Sequence, residues 1–305
     1  MLIAIDHGNK QIKTLHKTFG SALAESDTRP PFGKEVLEYK GKFYSLSGER
    51  IPYLRDKTED DRFFILTLFA IAYEIEESGA YSPDEIMDVQ LSVGLPPAHW
   101  GTQAKRFEEY FLNRDVISFT FKHRPHDIYI NEAACFPQAY AAIVPIYNRL
   151  RELPRVVVVD IGGYTVDYMP LSKGKEDTSA YDSMNNGVLF LYNKIKSKAN
   201  ADLDLLLEDF DIDSILNGDV ESYDSRVIRI VEERAQGFVD DLIDKLRERM
   251  VDLRVGKAVF TGGGSILLRR QIDACEKIGS ATFINEINAN VRGYQLLYQM
   301  SKARR

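Results

Sequence analysis

The sequence predicts an α/β protein built from two similar domains with a cleft between them. Three observations predict it. Apolar strand patterns and amphipathic helix patterns interleave along all 305 residues, with no low-complexity linker to divide them. A stretch near the middle, 156–169 (VVVVDIGGYTVDYM), has a near copy at the start, 1–13 (MLIAIDHGNKQIK), about half the chain away. A third junction of a short apolar strand with glycines follows at 257–265 (KAVFTGGGS).

The central stretch carries the chemistry. Four valines make a buried strand, Asp160 stands at its end, Gly162 and Gly163 permit a tight turn, and 164–169 alternates like a returning strand. Such a turn aims successive backbone N–H groups into one concavity suited to phosphate oxygens. An adjacent Asp suits a hydrated Mg²⁺, which keeps most of its water and takes one or two carboxylates. A lone stretch of this kind reads equally well as an ordinary Asp-Gly hairpin, or its Asp as a turn cap. The copy at the N-terminus changes the balance, because Asp6 and Asp160 then occupy one place in two similar units. Two such hairpins facing each other would clamp a triphosphate.

Composition sets the bounds. Hydrophobic residues at 44% and charged ones at 28% are ordinary for a globular protein with a sizeable core. A net charge of -7 argues against a direct nucleic-acid binder, which needs clustered Lys and Arg. The basic end, 302–305, reads as a solvated helix end. Cys135 and Cys275 read as buried thiols, the five histidines show no ligand spacing, and no run is long enough to span a bilayer. The chain opens on a strand pattern, with no signal peptide, so a cytoplasmic protein without membrane partners is expected.

In order along the chain, 13–19 extends the first hairpin and 24–34, polar with prolines, reads as loop. A hairpin at 36–46 turns at Lys40-Gly41, and 47–61 is charged loop. Helical spacing covers 63–77, burying Phe64, Leu68, Ile71, Ala72 and Ile75. A buried strand at 89–95 is stopped by two prolines. A helix at 100–112 and strands at 116–122 and 127–136 follow. Pro137 and Gln138 open a helix through Leu150, with proline where its missing N–H does no harm. After the central hairpin, 173–177 reads as turn or loop and 178–181 as a further strand. Asn185-Asn186-Gly187 opens a helix over 188–198, and 203–216 is acidic and partly helical. A long amphipathic helix spans 227–250. The glycine junction leads to a helix through Ile278, a strand at 281–284 and a terminal helix from about Asn288.

Two phosphate hairpins and a later glycine motif, in this order, resemble the actin/Hsp70/sugar-kinase ATPase superfamily. The further segments DKTEDDRFFILTLFAIAYEI, FPQAYAA and NANVRGYQLL look more like its ParM/StbA group of actin-like plasmid-segregation proteins. The resemblance implies two RNase H-like (actin-like ATPase) domains around a central nucleotide cleft, one from 1–154 plus 286–305 and the other from 155–285. It implies an ATPase, with ATP or GTP and Mg²⁺ as cofactors, that assembles with itself into filaments and moves plasmid DNA through a separate DNA-binding adaptor. A small-molecule kinase of the sugar or acetate type is the alternative within the superfamily.

The site residues follow from both lines of reasoning. Asp6 and Asp160 are the expected Mg²⁺ holders, through water. Gly8, Asn9 and Lys13 in the first hairpin, with Gly162, Gly163, Tyr164 and Thr165 in the second, are expected phosphate contacts; Lys13 reads alternatively as a solvated strand charge. His7 is expected to be a passenger whose backbone lies in the turn. Gln138 matches the family's water-positioning Gln or Glu, with Glu132 on the preceding strand as its rival and Asp167 as a relay. Gly262, Gly263, Gly264 and Ser265 are expected at adenosine, since only glycine lets backbone approach a flat ring closely. Asn186 and Gly187 at a helix start are candidates for phosphate or ribose, Glu233 for ribose, and Asn290 with Gly293 for closing the base pocket.

Overall fold

The computed structural model describes residues 1–31, 33, 35–176 and 181–303. The chain forms two compact units, Met1–Val144 with Asn288–Arg305, and Pro145–Ile287.

The first unit contains β1 (Leu2–His7), β2 (Gln11–Lys13), β3 (Thr18–Gly20), β4 (Ala22–Ser26), β5 (Val36–Tyr39), β6 (Lys42–Arg50), α1 (Asp61–Ser78), β7 (Ile86–Leu95), α2 (Pro97–Leu112), β8 (Ile117–Phe121), β9 (Arg124–Pro137) and α3 (Tyr140–Ile143). Its strands make a nine-stranded sheet in the order β3-β2-β1-β7-β9-β8-β5-β6-β4. β1, β7 and β9 run parallel at its centre; β1 from Ile3 and β7 from Leu91 are buried continuously, while burial along β9 alternates. Along α1, every residue from Phe63 to Ile75 is buried, so this helix lies inside the core rather than along its edge. Asp60 caps its first turn by accepting from the Arg62 N–H, and Gly79 ends it in the left-handed conformation.

The second unit contains α4 (Tyr147–Leu150), β10 (Val156–Ile161), β11 (Val166–Ser172), β12 (Lys175–Glu176), β13 (Asp182–Met184), α5 (Val188–Leu203), α6 (Asp209–Leu216), α7 (Ser225–Glu248), β14 (Lys257–Thr261), α8 (Gly263–Leu267), α9 (Arg269–Asp273) and β15 (Ala281–Phe283). Its sheet runs β12-β11-β10-β14-β15, with β13 added to β11; β10, β14 and β15 are parallel. β10 is buried at every residue. The apolar stripe of α7, from Val227 to Leu246, packs with α5 and α6 into one core.

Four elements differ from expectation. Residues 22–26 form strand β4 on β6, although 24–34 reads as loop; an edge strand bonded on one side has little apolar content to reveal it. The continuous helix expected over 137–150 is broken. β9 runs through Pro137, Ala139 adopts φ 62°, and only short turns follow, because Pro145 has no N–H to continue a helix. The strand expected at 178–181 lies at 178–180 outside the described residues, and the strand found begins at Asp182. The helix expected after the glycine junction is two short ones, α8 and α9.

The terminal helix, Ala289–Ala303, returns to the first unit and packs Val291 and Tyr294 on Ala4 and Ala141. The Ser92 hydroxyl donates to the Tyr294 carbonyl at 2.8 Å. Gly293 is the contact point: a Cβ there would lie 1.9 Å from the Ala141 carbonyl oxygen. The backbones touch because there is no side chain. Gly293→Ala should therefore lower stability by about 3 kcal/mol in chemical denaturation. A loss below about 0.5 kcal/mol, within the range of ordinary surface substitutions, would show that this contact is not tight.

Candidate functional site: two aspartate-tipped hairpins

The two hairpins are built to one plan. In the first, Asp6 pairs with Lys13 and His7 with Ile12; in the second, Asp160 pairs with Asp167 and Ile161 with Val166. Each therefore closes through a four-residue turn that opens on glycine, Gly8 or Gly162. A Cβ on Gly8 would lie 2.5 Å from the Gln11 carbonyl oxygen, and one on Gly162 would lie 3.0 Å from that of Thr165. Glycine is needed at both places for close approach within the turn.

The carbonyl side of each turn is held. In the second hairpin, the first N–H groups of α5 point into it: Gly187 donates to the Tyr164 carbonyl (2.8 Å), Val188 to Gly162 (3.1 Å) and Leu189 to Gly163 (2.9 Å). These are the N–H groups that a helix start leaves without intrahelical partners. In a trans peptide the C=O of one residue is opposed to the N–H of the next. No cis bond occurs among the described residues. Fixing those three carbonyls on α5 therefore turns the N–H groups of Gly163, Tyr164 and Thr165 away from the helix, as an anion-binding concavity requires. The first hairpin is held at other carbonyls and by other means. Lys57 is buried and its Nζ donates to the His7 carbonyl at 2.5 Å, while the Ser21 N–H donates to Lys10 (3.2 Å). The N–H of Gly8 is thereby turned away from Lys57, and that of Gln11 away from Ser21.

Asp6 is buried at the end of β1. Its Oδ1 accepts from the Gln138 Nε2 at 2.9 Å, and Lys13 Nζ lies 3.4 Å from Oδ2. Gln138 is fixed in turn, since its N–H extends the ladder to the Leu95 carbonyl (2.9 Å) and the next residue, Ala139, donates its N–H to Asn290 Oδ1 (3.1 Å). The structure thus brings Asp6, Lys13 and Gln138 together. Asn9 lies in the turn beside them, partly exposed. In the second unit Asp160 and Asp167, both buried, face each other directly across β10 and β11. A cross-strand pair of carboxylates, where the other hairpin has Asp6 and Lys13, is a cation-attracting arrangement.

Several expected residues have other tasks. Glu132 is level with Gln90 and Leu2, four strand positions from the level of Asp6, or roughly 13 Å. Its carboxylate accepts from the Tyr298 hydroxyl (2.7 Å) and Lys302 Nζ, so it anchors the terminal helix rather than rivalling Gln138. Gly187 holds the second hairpin, because its N–H and those that follow are engaged by protein carbonyls. Asn186 beside it reaches Lys245 on α7 in the amide orientation that satisfies both its atoms. Asn290 and Gly293 secure the Gln138 turn and α3. Ser265 is buried and its hydroxyl donates to the Thr261 carbonyl at 2.5 Å. A Cβ on Gly262 would lie 2.1 Å from Asp160 Oδ1, and one on Gly264 would lie 2.4 Å from Ile161 Cγ2. These two glycines let α8 close on the end of β10, while Gly263 is partly exposed. Glu233 is exposed on α7.

Two residues escaped sequence reasoning. Lys57 falls in a stretch that reads as charged loop. Its signal is the spacing around it, in which Asp56 accepts from the Thr58 N–H (2.9 Å) and Asp60 from the Arg62 N–H (2.9 Å), two successive caps that fix a turn. His7 is no passenger. Its ring is fully buried against Phe107 and Phe111, and Nε2 meets Thr67 Oγ1 at 2.8 Å. The Thr67 hydroxyl donates to the Phe63 carbonyl, so His7 Nε2 is the donor and Nδ1 carries no proton.

The sequence profile of the family described as "Archaeal actin homologue MreB-like, C-terminal" matches residues 158–274. No curated protein sequence matches the chain significantly. Among solved structures, the archaeal actin homologue Ta0583 superposes with a TM-score of 0.78 at 19% identity, covering 98% of this chain and 99% of that one. The subunit of a ParM filament from Clostridium botulinum gives 0.76 at 16% identity over 98% and 99%. Bacillus thuringiensis ParM with ATP gives 0.66 at 14% identity over 99% of each chain. The chain therefore has the actin-like fold, over its full length.

Burial, with the nearby Lys57 charge second, pushes the His7 pKa down to about 3 from its usual 6.5. Between these values the unfolded chain binds a proton that the folded chain does not, so stability falls as pH drops below about 6.5. Wild type should lose about 2 kcal/mol more than His7→Leu between pH 7 and pH 5 in denaturant titrations. Equal losses in both would show that this ring does not titrate on unfolding.

Proposed function

We propose that the protein is an ATPase that assembles with itself into filaments when nucleotide is bound. The single observation that carries this reading is the duplicated hairpin, whose carbonyl side is clamped so that backbone N–H groups are turned away from the clamp, as a phosphate site would require. The expected chemistry fits the residues. On the second hairpin Asp160 with Asp167 would supply carboxylates for a hydrated Mg²⁺, which needs only one or two of them; on the first, Asp6 offers a carboxylate of the same kind. Bound there, the ion would offset phosphate charge. Lys13 adds a cation beside Asp6. Gln138, already held by its backbone and by Asp6, is placed to orient a water by hydrogen bonds; an amide is a poor base, so slow turnover follows.

Self-assembly and nucleotide are supported by similarity. The Clostridium botulinum ParM was solved as a filament, the Bacillus thuringiensis ParM with ATP, and Ta0583 also in complex with ADP. Segregation of plasmid DNA is the finer reading, which the likeness to ParM favours. A net charge of -7 would then leave DNA contact to a basic adaptor.

Mixing the purified protein with ATP and Mg²⁺ should raise right-angle light scattering, and the signal should decay as ATP is consumed. Gln138→Ala should still scatter but decay about tenfold more slowly. A flat signal at every protein concentration, with ATP consumption that depends on an added sugar or organic acid, would replace this reading with a small-molecule kinase.

A further inference from the structure

The second unit carries two exposed apolar patches of opposite charge, at the two ends of α7. The first precedes the helix. Leu203 and Leu207 pack toward the core, but Leu206 is 87% exposed, Phe210 67% and Leu205 39%. From Asp202 to Asp224 the chain has nine acidic residues and no basic one. Lys196 and Lys198 of α5 pair with Glu208, Asp209 and Asp202, while Asp204 and Glu221 add exposed charge. The second patch follows the helix. Met250 is 92% exposed and Val255 53%, while Val251 and Leu253 between them are buried. From Lys245 to Lys257 there are five basic and two acidic residues. Of the acids, Asp252 is engaged by Arg254 and, at 3.9 Å, by Arg247.

Acid at a helix start and base at its end also suit the helix dipole. That accounts for the charges but not for large side chains left in water beside them. With 24 residues, α7 holds the patches roughly 36 Å apart, and α5 carries the acidic one roughly 24 Å from the second hairpin. Neither belongs to the nucleotide site.

Resting on the filament reading, we propose that these patches are the two halves of one head-to-tail interface: Leu206 and Phe210 of one copy seat on Met250 and Val255 of the next. The occupant is a second copy, because this chain itself carries the surface of matching polarity and opposite charge. Different patches meeting in this way form a heterologous contact, which propagates instead of closing into a dimer. The apolar side chains supply the attraction, and the charges set register and exclude contact between like ends.

The test uses two variants of the full chain, L206D/F210D and M250D/R254E, assayed by sedimentation with ATP and Mg²⁺. Each alone should raise the critical concentration for assembly by about tenfold or more. Each should bind fluorescent ATP as wild type does, which shows that it is folded. Mixed in equal amounts they should stop at dimers in analytical ultracentrifugation, since each keeps one intact patch. Assembly of either variant at the wild-type concentration, or a mixture that stays monomeric, would overturn the interface while the filament reading stands. Wild type that never sediments with any nucleotide would overturn both.

Discussion

The structure depends on how a glycine turn is held from behind. A free four-residue turn has carbonyl and N–H groups that can point either way, and it offers no fixed concavity to an anion. Here the carbonyls of Gly162, Gly163 and Tyr164 are pinned by the first three N–H groups at the start of α5. Those N–H groups would otherwise lack partners, so one set of bonds satisfies the helix start and orients the turn. The first hairpin has no helix behind it and uses a buried ammonium group, Lys57, on the His7 carbonyl. Two unlike supports thus hold the carbonyl side of two hairpins that share one register.

Burial explains why the supports tolerate little change. Lys57 and His7 lie together in a wall of aromatic rings, where a charge is costly unless it is bonded. The lysine has its carbonyl partner, and His7 stays neutral beside it. Gly262 and Gly264 serve the same end in the second unit by letting α8 close against Asp160 and Ile161. The terminal helix does so in the first, where Asn290 fixes the residue after Gln138.

Much of this was legible in the sequence. The duplicated Asp and Gly spacing gave both hairpins, and valine runs gave the buried central strands, because burial on both faces leaves few alternatives. The α7 stripe was equally plain. The half-exposed edge strand β4 was not, since few of its positions face the core. The apolar run after Gln138 has helical spacing, so the turn at Ala139, with φ 62°, was hidden. Asn290, Ser265 and Glu132, polar residues near glycine turns, and Gly187 at a helix start all read from sequence as ligand residues. Their bonds to the protein's own backbone and side chains are long-range facts that spacing cannot show. Lys57 was missed for the same reason, as its partner is fifty residues away.

If the clamped turns take phosphate, selected backbone N–H groups, and not others, should meet it. Glycine-selective ¹⁵N labelling with proton–nitrogen correlation spectra, before and after adding ATP and Mg²⁺, tests it directly. The amides of Gly8 and Gly163 should move strongly downfield, while those of Gly162 and Gly187, bonded to the Thr165 and Tyr164 carbonyls, should move far less. Unmoved Gly8 and Gly163 amides under saturating nucleotide would contradict the account.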